Sequence, residues 1–149
     1  MVCTANVCRS PMAEIVATEL VRRKGLSKVF YFESAGTHAS KNKMRIDTRA
    51  VAALERRGYE VRKTRSRPIE NKDFQRFDFI FAMDNSNYSE LQRICPLKFK
   101  YKLKMFLAKK TEVNSQEIPD PYYGNDEGFE RVLNLCEAGV QIFLDSTMV

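Results

Sequence analysis

An α/β fold built around a parallel sheet is what this sequence predicts, and three features predict it. Short β-rich runs alternate along the chain with helix-patterned stretches, the arrangement that yields βαβ units. The run Phe77 to Met83 (Phe-Asp-Phe-Ile-Phe-Ala-Met) is apolar enough to lie buried on both faces, as central parallel strands do. No internal repeat or Gly/Ser-rich linker divides the 149 residues, so one domain spanning 1–149 with one core is expected.

The elements follow in order. Met1 to Cys3 is a strand stub. Pro11, suited to a first helical turn, opens a helix to Gly25 with Ile15, Leu20 and Val21 on its apolar face. Val29 to Phe32 is β-branched and aromatic and reads as a strand. Asp47 is an N-cap for a helix to Arg57, with Gly58 as its stop. After the Phe77–Met83 strand, Asn85 to Ile94 is a short helix ended by Cys95-Pro96. Lys98 to Met105 alternates lysine with Phe, Tyr, Leu and Met, the pattern of a half-buried strand whose wet face resists edge pairing. Asp126 caps a last helix, Glu127 to Leu144, with Phe129, Val132, Leu133 and Cys136 in its stripe.

Composition narrows the function classes. With 44% hydrophobic and 30% charged residues the chain is globular rather than disordered. No apolar run is long enough to cross a bilayer, and the N-terminus lacks the basic-then-apolar order of a signal peptide, so a cytoplasmic setting without membrane insertion is expected. The net charge of +6 favours an anionic partner without naming one. The Lys98, Lys100, Lys102, Lys104 stripe is read as a solvated strand face, and no nucleic-acid partner is expected. The four cysteines (Cys3, Cys8, Cys95, Cys136) sit in no secretory context, and the single histidine, His38, is far in sequence from the one close pair; neither a disulfide framework nor a metal site is expected.

The chemistry concentrates in Cys3-Thr4-Ala5-Asn6-Val7-Cys8-Arg9-Ser10-Pro11, between a strand stub and a helix start. A loop of this length curls so that its backbone N–H groups converge, at the positive end of the following helix, into an anion site. Thr4, Ala5, Asn6, Val7, Cys8 and Ser10 are its candidate substrate-binding residues. Arg9 adds a planar fork of donors matched to two phosphate oxygens. The same field favours the thiolate of Cys3, and the Ser10 hydroxyl is placed to donate to it. Anion cradle and thiolate together suit attack on a bound phosphate monoester. A buried structural cysteine beside a helix cap is the plainer explanation; Arg, Ser and Pro in register argue against it.

Such an attack needs a proton for the departing oxygen. Asp120, in Ile118-Pro119-Asp120-Pro121-Tyr122-Tyr123-Gly124, is the candidate acid: flanking prolines hold its backbone, and the paired tyrosines wall a slot for an aromatic ring. Alone, this segment reads as a turn with a solvated carboxylate. Paired with the cysteine loop, it reads as an acid.

With both segments in hand, the chain resembles the low-molecular-weight protein tyrosine phosphatases of bacterial type. The resemblance covers nearly the whole chain and includes Met12-Ala13-Glu14, Ser34-Ala35-Gly36-Thr37, Asp47 to Ala50 and Phe77 to Asp84. It implies a three-layer doubly wound fold, a four-stranded parallel sheet with helices on both faces, and a two-step reaction without cofactor or metal. It implies that Cys3 becomes phosphorylated, that Arg9 clamps the phosphoryl oxygens, and that Asp120 serves as acid and then base. Asn6 and Ser34 match residues that hold the loop in shape, Tyr122 and Tyr123 match the aromatic wall, and Cys8 matches a second cysteine that forms a reversible disulfide with the nucleophile. Bacterial relatives commonly act on tyrosine autokinases of polysaccharide export, so a phosphotyrosine protein of that kind is the expected partner, with the chain itself a monomer or weak dimer.

The chain departs from the family pattern at Ala5, where glycine is usual; at Thr64, where a histidine of the loop-supporting network is usual; at Ser40, where an aromatic residue borders the slot; and before Cys3, where several apolar residues are usual. The last departure suggests a truncated first strand. Arsenate reduction would need partners for Cys95. Phosphoarginine hydrolysis is disfavoured by Val7 and by the Tyr-Tyr pair. A binding module without turnover would have no use for Asp120.

Overall fold

The computed structural model describes residues 1–107 and 116–148. Four strands, β1 (Val2–Cys3), β2 (Ala35–Gly36), β3 (Ile80–Ala82) and β4 (Leu103–Met105), form one sheet in the order β2-β1-β3-β4. All pairings are parallel, as expected. Helices α1 (Arg9–Arg23), α2 (Thr48–Arg56) and α5 (Asp126–Thr147) cover one face, where Met12, Val16, Leu54, Phe129, Leu133 and Leu144 are fully buried. Helices α3 (Asn71–Arg76) and α4 (Asn85–Ile94) cover the other over Val2, Phe74, Ile80 and Leu91. The sheet is thus the middle of three layers.

Local chemistry sets the element ends. Asp47 caps α2 by accepting from Arg49 N–H at 2.9 Å, and Asp84 caps α4 by accepting from Asn87 N–H at 2.7 Å. Gly25 and Gly58 follow α1 and α2 at φ +71 and +82, the left-handed geometry glycine adopts most cheaply. The last helix starts one residue before the expected position, because Asn125 takes the cap and accepts from Gly128 N–H. Helix α3 escaped the sequence reading: six residues hold no readable periodicity, and its signal is the reciprocal Glu70/Asp73 capping box.

Three expectations need correction. Helix α1 begins at Arg9, two residues before the expected Pro11, and so draws Arg9 and Ser10 into its first turn. Within the expected Lys98–Met105 strand, only Leu103–Met105 is strand; Leu97–Lys102 winds as a 3₁₀ turn. Lys102 is the cause: its Nζ is buried and donates to the Phe74 and Gln75 carbonyls at 2.9 and 3.2 Å, ending α3 and pulling that lysine off the wet face.

The third correction is at Val29 to Phe32, which form no strand. Strand β2 lies further on, at Ala35–Gly36, because β1 offers only Val2 and Cys3 to pair with (Val2↔Ala35, Cys3↔Gly36). The register on the other side is Val2↔Ala82, and β3 spans only Ile80–Ala82, the residues that pair with Leu103–Met105 of β4, short of the expected Phe77–Met83. Between the two flanking segments a slot of about 290 Å³ runs on from Met1, walled by Val29 to Glu33 and by Phe77 to Phe81. Phe143 of α5 forms its floor and meets Phe30, Phe32, Phe79 and Phe81 edge to face, with centroids 5.2–6.5 Å apart. The Met1 ammonium stands at the slot's end and donates to Glu33 O at 2.9 Å.

Candidate active site

The cysteine loop leaves the C-terminal end of β1, the edge at which open α/β sheets present their ligands. Cys3 is 3% exposed. Its Sγ lies 3.0 Å from Ser10 Oγ and accepts from Asn6 N–H at 3.3 Å. Ser10 also accepts from Asn6 Nδ2 at 2.8 Å, which leaves its single proton for Cys3 Sγ or for the Ala35 carbonyl, 3.3 Å away. Toward a thiolate, the sulfur is the stronger acceptor.

Asn6 is the residue on which the loop turns. At φ +59 it is left-handed, a geometry asparagine tolerates better than most residues. It is fixed there from both ends: Nδ2 donates to Ser10, and Oδ1 accepts from Arg67 N–H at 3.0 Å. Ala5, where a glycine is usual, carries no positive φ and is exposed, so its Cβ meets no backbone obstacle. Gly36 has no such room. A Cβ there would lie 2.5 Å from Thr4 O and 3.1 Å from Asn6 N, so β2 approaches the loop as only glycine allows.

No side chain caps α1 and no acidic residue stands in its first turn, so its leading N–H groups and dipole face the loop's concavity. Arg9 stands at this positive end, an unfavourable place for a cation, and is 3% exposed. Asp84 compensates: Arg9 Nη1 donates to Asp84 Oδ2 at 2.5 Å and to Ile118 O at 3.1 Å. The other fork tip, Nη2, lies 3.5 Å from Asp120 Oδ2. One guanidinium therefore ties together the loop, the end of β3 and the segment that carries Asp120.

The Asp120 side chain is 53% exposed. Its Oδ1 accepts from Tyr122 N–H at 3.2 Å, fixing the turn. Arg49 holds the same turn from α2, donating to Tyr122 O at 2.8 Å and Gly124 O at 3.4 Å while bound to Asp47 at 2.9 Å. That partner holds the Asp47 carboxyl below its ordinary range, chiefly through the Arg49 hydrogen bond. Tyr122 and Tyr123 stand edge to face, centroids 5.0 Å apart, with Tyr123 almost wholly exposed.

A family model described as low molecular weight phosphotyrosine protein phosphatase matches residues 1–148. The chain belongs to this family. It is 37% identical over 145 residues to low molecular weight phosphotyrosine protein phosphatase 2 of Drosophila melanogaster, covering 97% of this chain and 88% of that one. The low molecular weight phosphotyrosine phosphatase of Vibrio cholerae O395 has a crystal structure that superposes with a TM-score of 0.91 at 39% identity, covering 99% and 94%. The tyrosine phosphatase Wzb of Escherichia coli K30, solved in complex with sulphate, gives a TM-score of 0.84 at 27% identity, covering 98% and 94%. Relatives of this chain are thus named as protein-tyrosine phosphatases, which are phosphoric monoester hydrolases.

Within this family member, Cys3, Thr4, Asn6, Arg9, Ser10 and Asp120 come together. Cys8, 4% exposed, occupies the N-cap position of α1 without a side-chain hydrogen bond to it, and burial pushes its thiol up to about 12. Val7 is half-buried, its carbonyl accepting from Asp47 N–H at 2.9 Å. Ser34 sits one step behind the loop: its hydroxyl donates to Glu14 Oε2, and only its neighbour's carbonyl reaches Ser10. The Thr64 hydroxyl is buried without a hydrogen-bond partner among the described residues. Sequence reasoning missed Arg49, Arg67, Asp84 and Asn87. With its amide turned to satisfy both ends, Asn87 donates to Asp84 Oδ1 and accepts from Thr4 Oγ1, both at 3.0 Å. The available signal was position: Met83-Asp84-Asn85-Ser86-Asn87 follows the most apolar strand at its C-terminal end.

Proposed function

We propose that this chain hydrolyses phosphotyrosine in proteins through a phosphocysteine at Cys3. The observation that supports this most directly is the convergence on Arg9. Arg9 directly follows the Cys3 loop in the chain and its guanidinium lies 3.5 Å from Asp120, so a phosphoryl group bound by the loop and Arg9 would have a nucleophile and an acid within reach. The thiolate of Cys3 attacks phosphorus, and the S–P bond forms as the P–O bond to tyrosine breaks. Loop N–H groups and Arg9 bear the charge on the equatorial oxygens. Asp120 gives its proton to the tyrosyl oxygen. As a carboxylate it then takes a proton from water, whose oxygen attacks phosphorus, breaks the S–P bond and restores the thiolate. Ser10 steadies that thiolate both as nucleophile and as leaving group. Tyr122 and Tyr123 face the substrate ring.

Cys8 acts as a resolving thiol, closing a disulfide with Cys3 after peroxide oxidation. The setting is cytoplasmic, in keeping with free cysteines at 3, 8, 95 and 136. The described residues include no helix long and apolar enough to cross a membrane. A bacterial tyrosine autokinase is the partner that the family resemblance implies. Hydrolysis of p-nitrophenyl phosphate and of a phosphotyrosine peptide, both abolished by Cys3→Ser, tests this reading. Turnover retained by Cys3→Ser, or a preference for phosphoarginine peptides, would overturn it.

A further inference from the structure

Beside the cysteine loop stands a rim whose charge the chemistry above does not use. The chain leaves β2 with Thr37 N–H on Cys3 O and His38 N–H on Thr4 O, both at 2.9 Å, and returns with Asp47 N–H on Val7 O at 2.9 Å. Residues 38–46 therefore arch outward from the edge of the cradle, anchored to it at both ends. Lys41, Lys43 and Arg45 are exposed along this arch. A second segment, 64–67, lies against it: Met44 N–H donates to Ser66 Oγ at 2.8 Å, and Ser66 N–H to Met44 O at 2.9 Å. This segment too is tied to the cradle, through Arg67 N–H on Asn6 Oδ1 at 3.0 Å.

Two features separate this rim from an ordinary solvated surface. No aspartate or glutamate occurs in 34–46 or in 61–69. Among the described residues, none of Lys41, Lys43, Arg45 and Arg65 has a carboxylate within ion-pair distance, whereas Arg49 and Arg67 next to them do. Moreover, Arg45 and Arg65 face each other in an antiparallel bridge. Like charges directly opposite each other in a ladder repel, so the bridge carries a standing cost that a bound anion would relieve.

We propose that this rim selects substrates in which the phosphotyrosine is flanked by aspartate or glutamate, reading the flanking charge while the cradle reads the phosphate. The proposal rests on the phosphotyrosine reading above and specifies the substrate class of that site. The rim is exposed, so its attraction is screened by salt and acts chiefly on KM.

The test compares phosphotyrosine peptides that are acidic, neutral or basic at the flanking positions, with p-nitrophenyl phosphate as a substrate that reaches only the cradle. We expect kcat/KM for the acidic peptide to exceed that for the neutral one by about tenfold at low salt, with most of the advantage lost near 0.5 M NaCl. The triple variant Lys41→Glu, Lys43→Glu, Arg45→Glu abolishes or inverts the preference while p-nitrophenyl phosphate turnover stays within about twofold. The milder Lys41→Gln, Lys43→Gln pair weakens it in the same direction, should the triple variant fail to fold. Binding of the same peptides to Cys3→Ser, followed by fluorescence polarisation, reads the rim without turnover. An unchanged peptide ratio in the variants, or no preference in the wild type, overturns the rim while leaving p-nitrophenyl phosphate hydrolysis intact. Loss of that hydrolysis in the wild type would instead count against the phosphatase reading. An RNA oligonucleotide competing better than the acidic peptide would also overturn the proposal.

Discussion

Arg9 reaches Asp84 with one guanidinium nitrogen and Asp120 with the other, at 2.5 and 3.5 Å. The first contact is nearly buried. The second involves an exposed carboxylate, which a phosphoryl group on Arg9 would displace toward the leaving oxygen. In the mechanism proposed above, the two carboxylates divide their duties, Asp84 positioning the clamp and Asp120 serving the chemistry.

Removing the positioning charge should be costly. Asp84→Asn keeps an acceptor suited to capping α4 but takes away the counter-ion of a buried cation. We expect kcat/KM for a phosphotyrosine peptide to fall roughly 10–100-fold, because a slightly misplaced clamp is already costly. Asp84→Ala, losing the cap as well, should be less stable than Asp84→Asn by about 1 kcal/mol in urea melts. Catalysis within twofold of wild type in Asp84→Asn would remove Asp84 from the account.

For Asp120 the discriminating variable is the leaving group. Asp120→Asn should slow phosphotyrosine hydrolysis by roughly 10²–10⁴, the range for a positioned general acid. Aryl phosphates with more acidic phenols should lose less in the phosphorylation step. Pre-steady-state rates across a phenol series measure this, and a loss of equal size for every leaving group would contradict the assignment.

Cys8 gives a pH signature. Burial raises its thiol to about 12, so near neutrality it is protonated, and below that value its thiolate fraction grows about tenfold per pH unit. Closure of a Cys3–Cys8 disulfide after peroxide treatment should therefore accelerate steeply between pH 7 and 9, in competition with over-oxidation of Cys3. Mass spectrometry of quenched samples follows both products. Sulfonic acid on Cys3 with Cys8 free at every pH would contradict a resolving role.

The slot beyond Met1 gives a stability signature. Loss of hydration on burial lowers the Met1 ammonium from 8.0 to about 6. Between those values the unfolded chain binds more protons, so stability rises with pH across pH 6 to 8. A shift of that size corresponds to about 2–3 kcal/mol, a penalty complete below pH 6 and absent above pH 8. Four aliphatic residues placed before Met1 would extend β1 into the slot and carry the ammonium out of it. They should flatten this dependence and raise Tm by about 5 °C or more. An unchanged Tm and pH profile would show that the slot does not accept a strand.

How much of this was legible in the sequence depends on where each signal resides. The Cys3–Pro11 loop, α2, α4 and the Asp120 turn were readable because their chemistry is local: caps, prolines and a fixed spacing. Val29 to Phe32 has strand composition but lies beyond the reach of β1, and strand formation needs a partner that composition cannot supply. Lys102 reads as surface until Phe74 and Gln75 offer it their carbonyls. Asp84, Asn87, Arg49 and Arg67 meet the loop only through tertiary contacts, so each reads singly as a cap or a surface charge.

The most direct test of the central claim is to look for the covalent intermediate. Wild-type protein mixed with a phosphotyrosine peptide, quenched in acid within milliseconds and digested, is analysed by mass spectrometry for phosphate on the peptide containing Cys3. The account predicts a phosphoryl group on Cys3 that forms and decays at rates competent for turnover, and none in Cys3→Ser. Turnover with no phosphoryl group on Cys3 at any time, or its appearance on another residue, would contradict it.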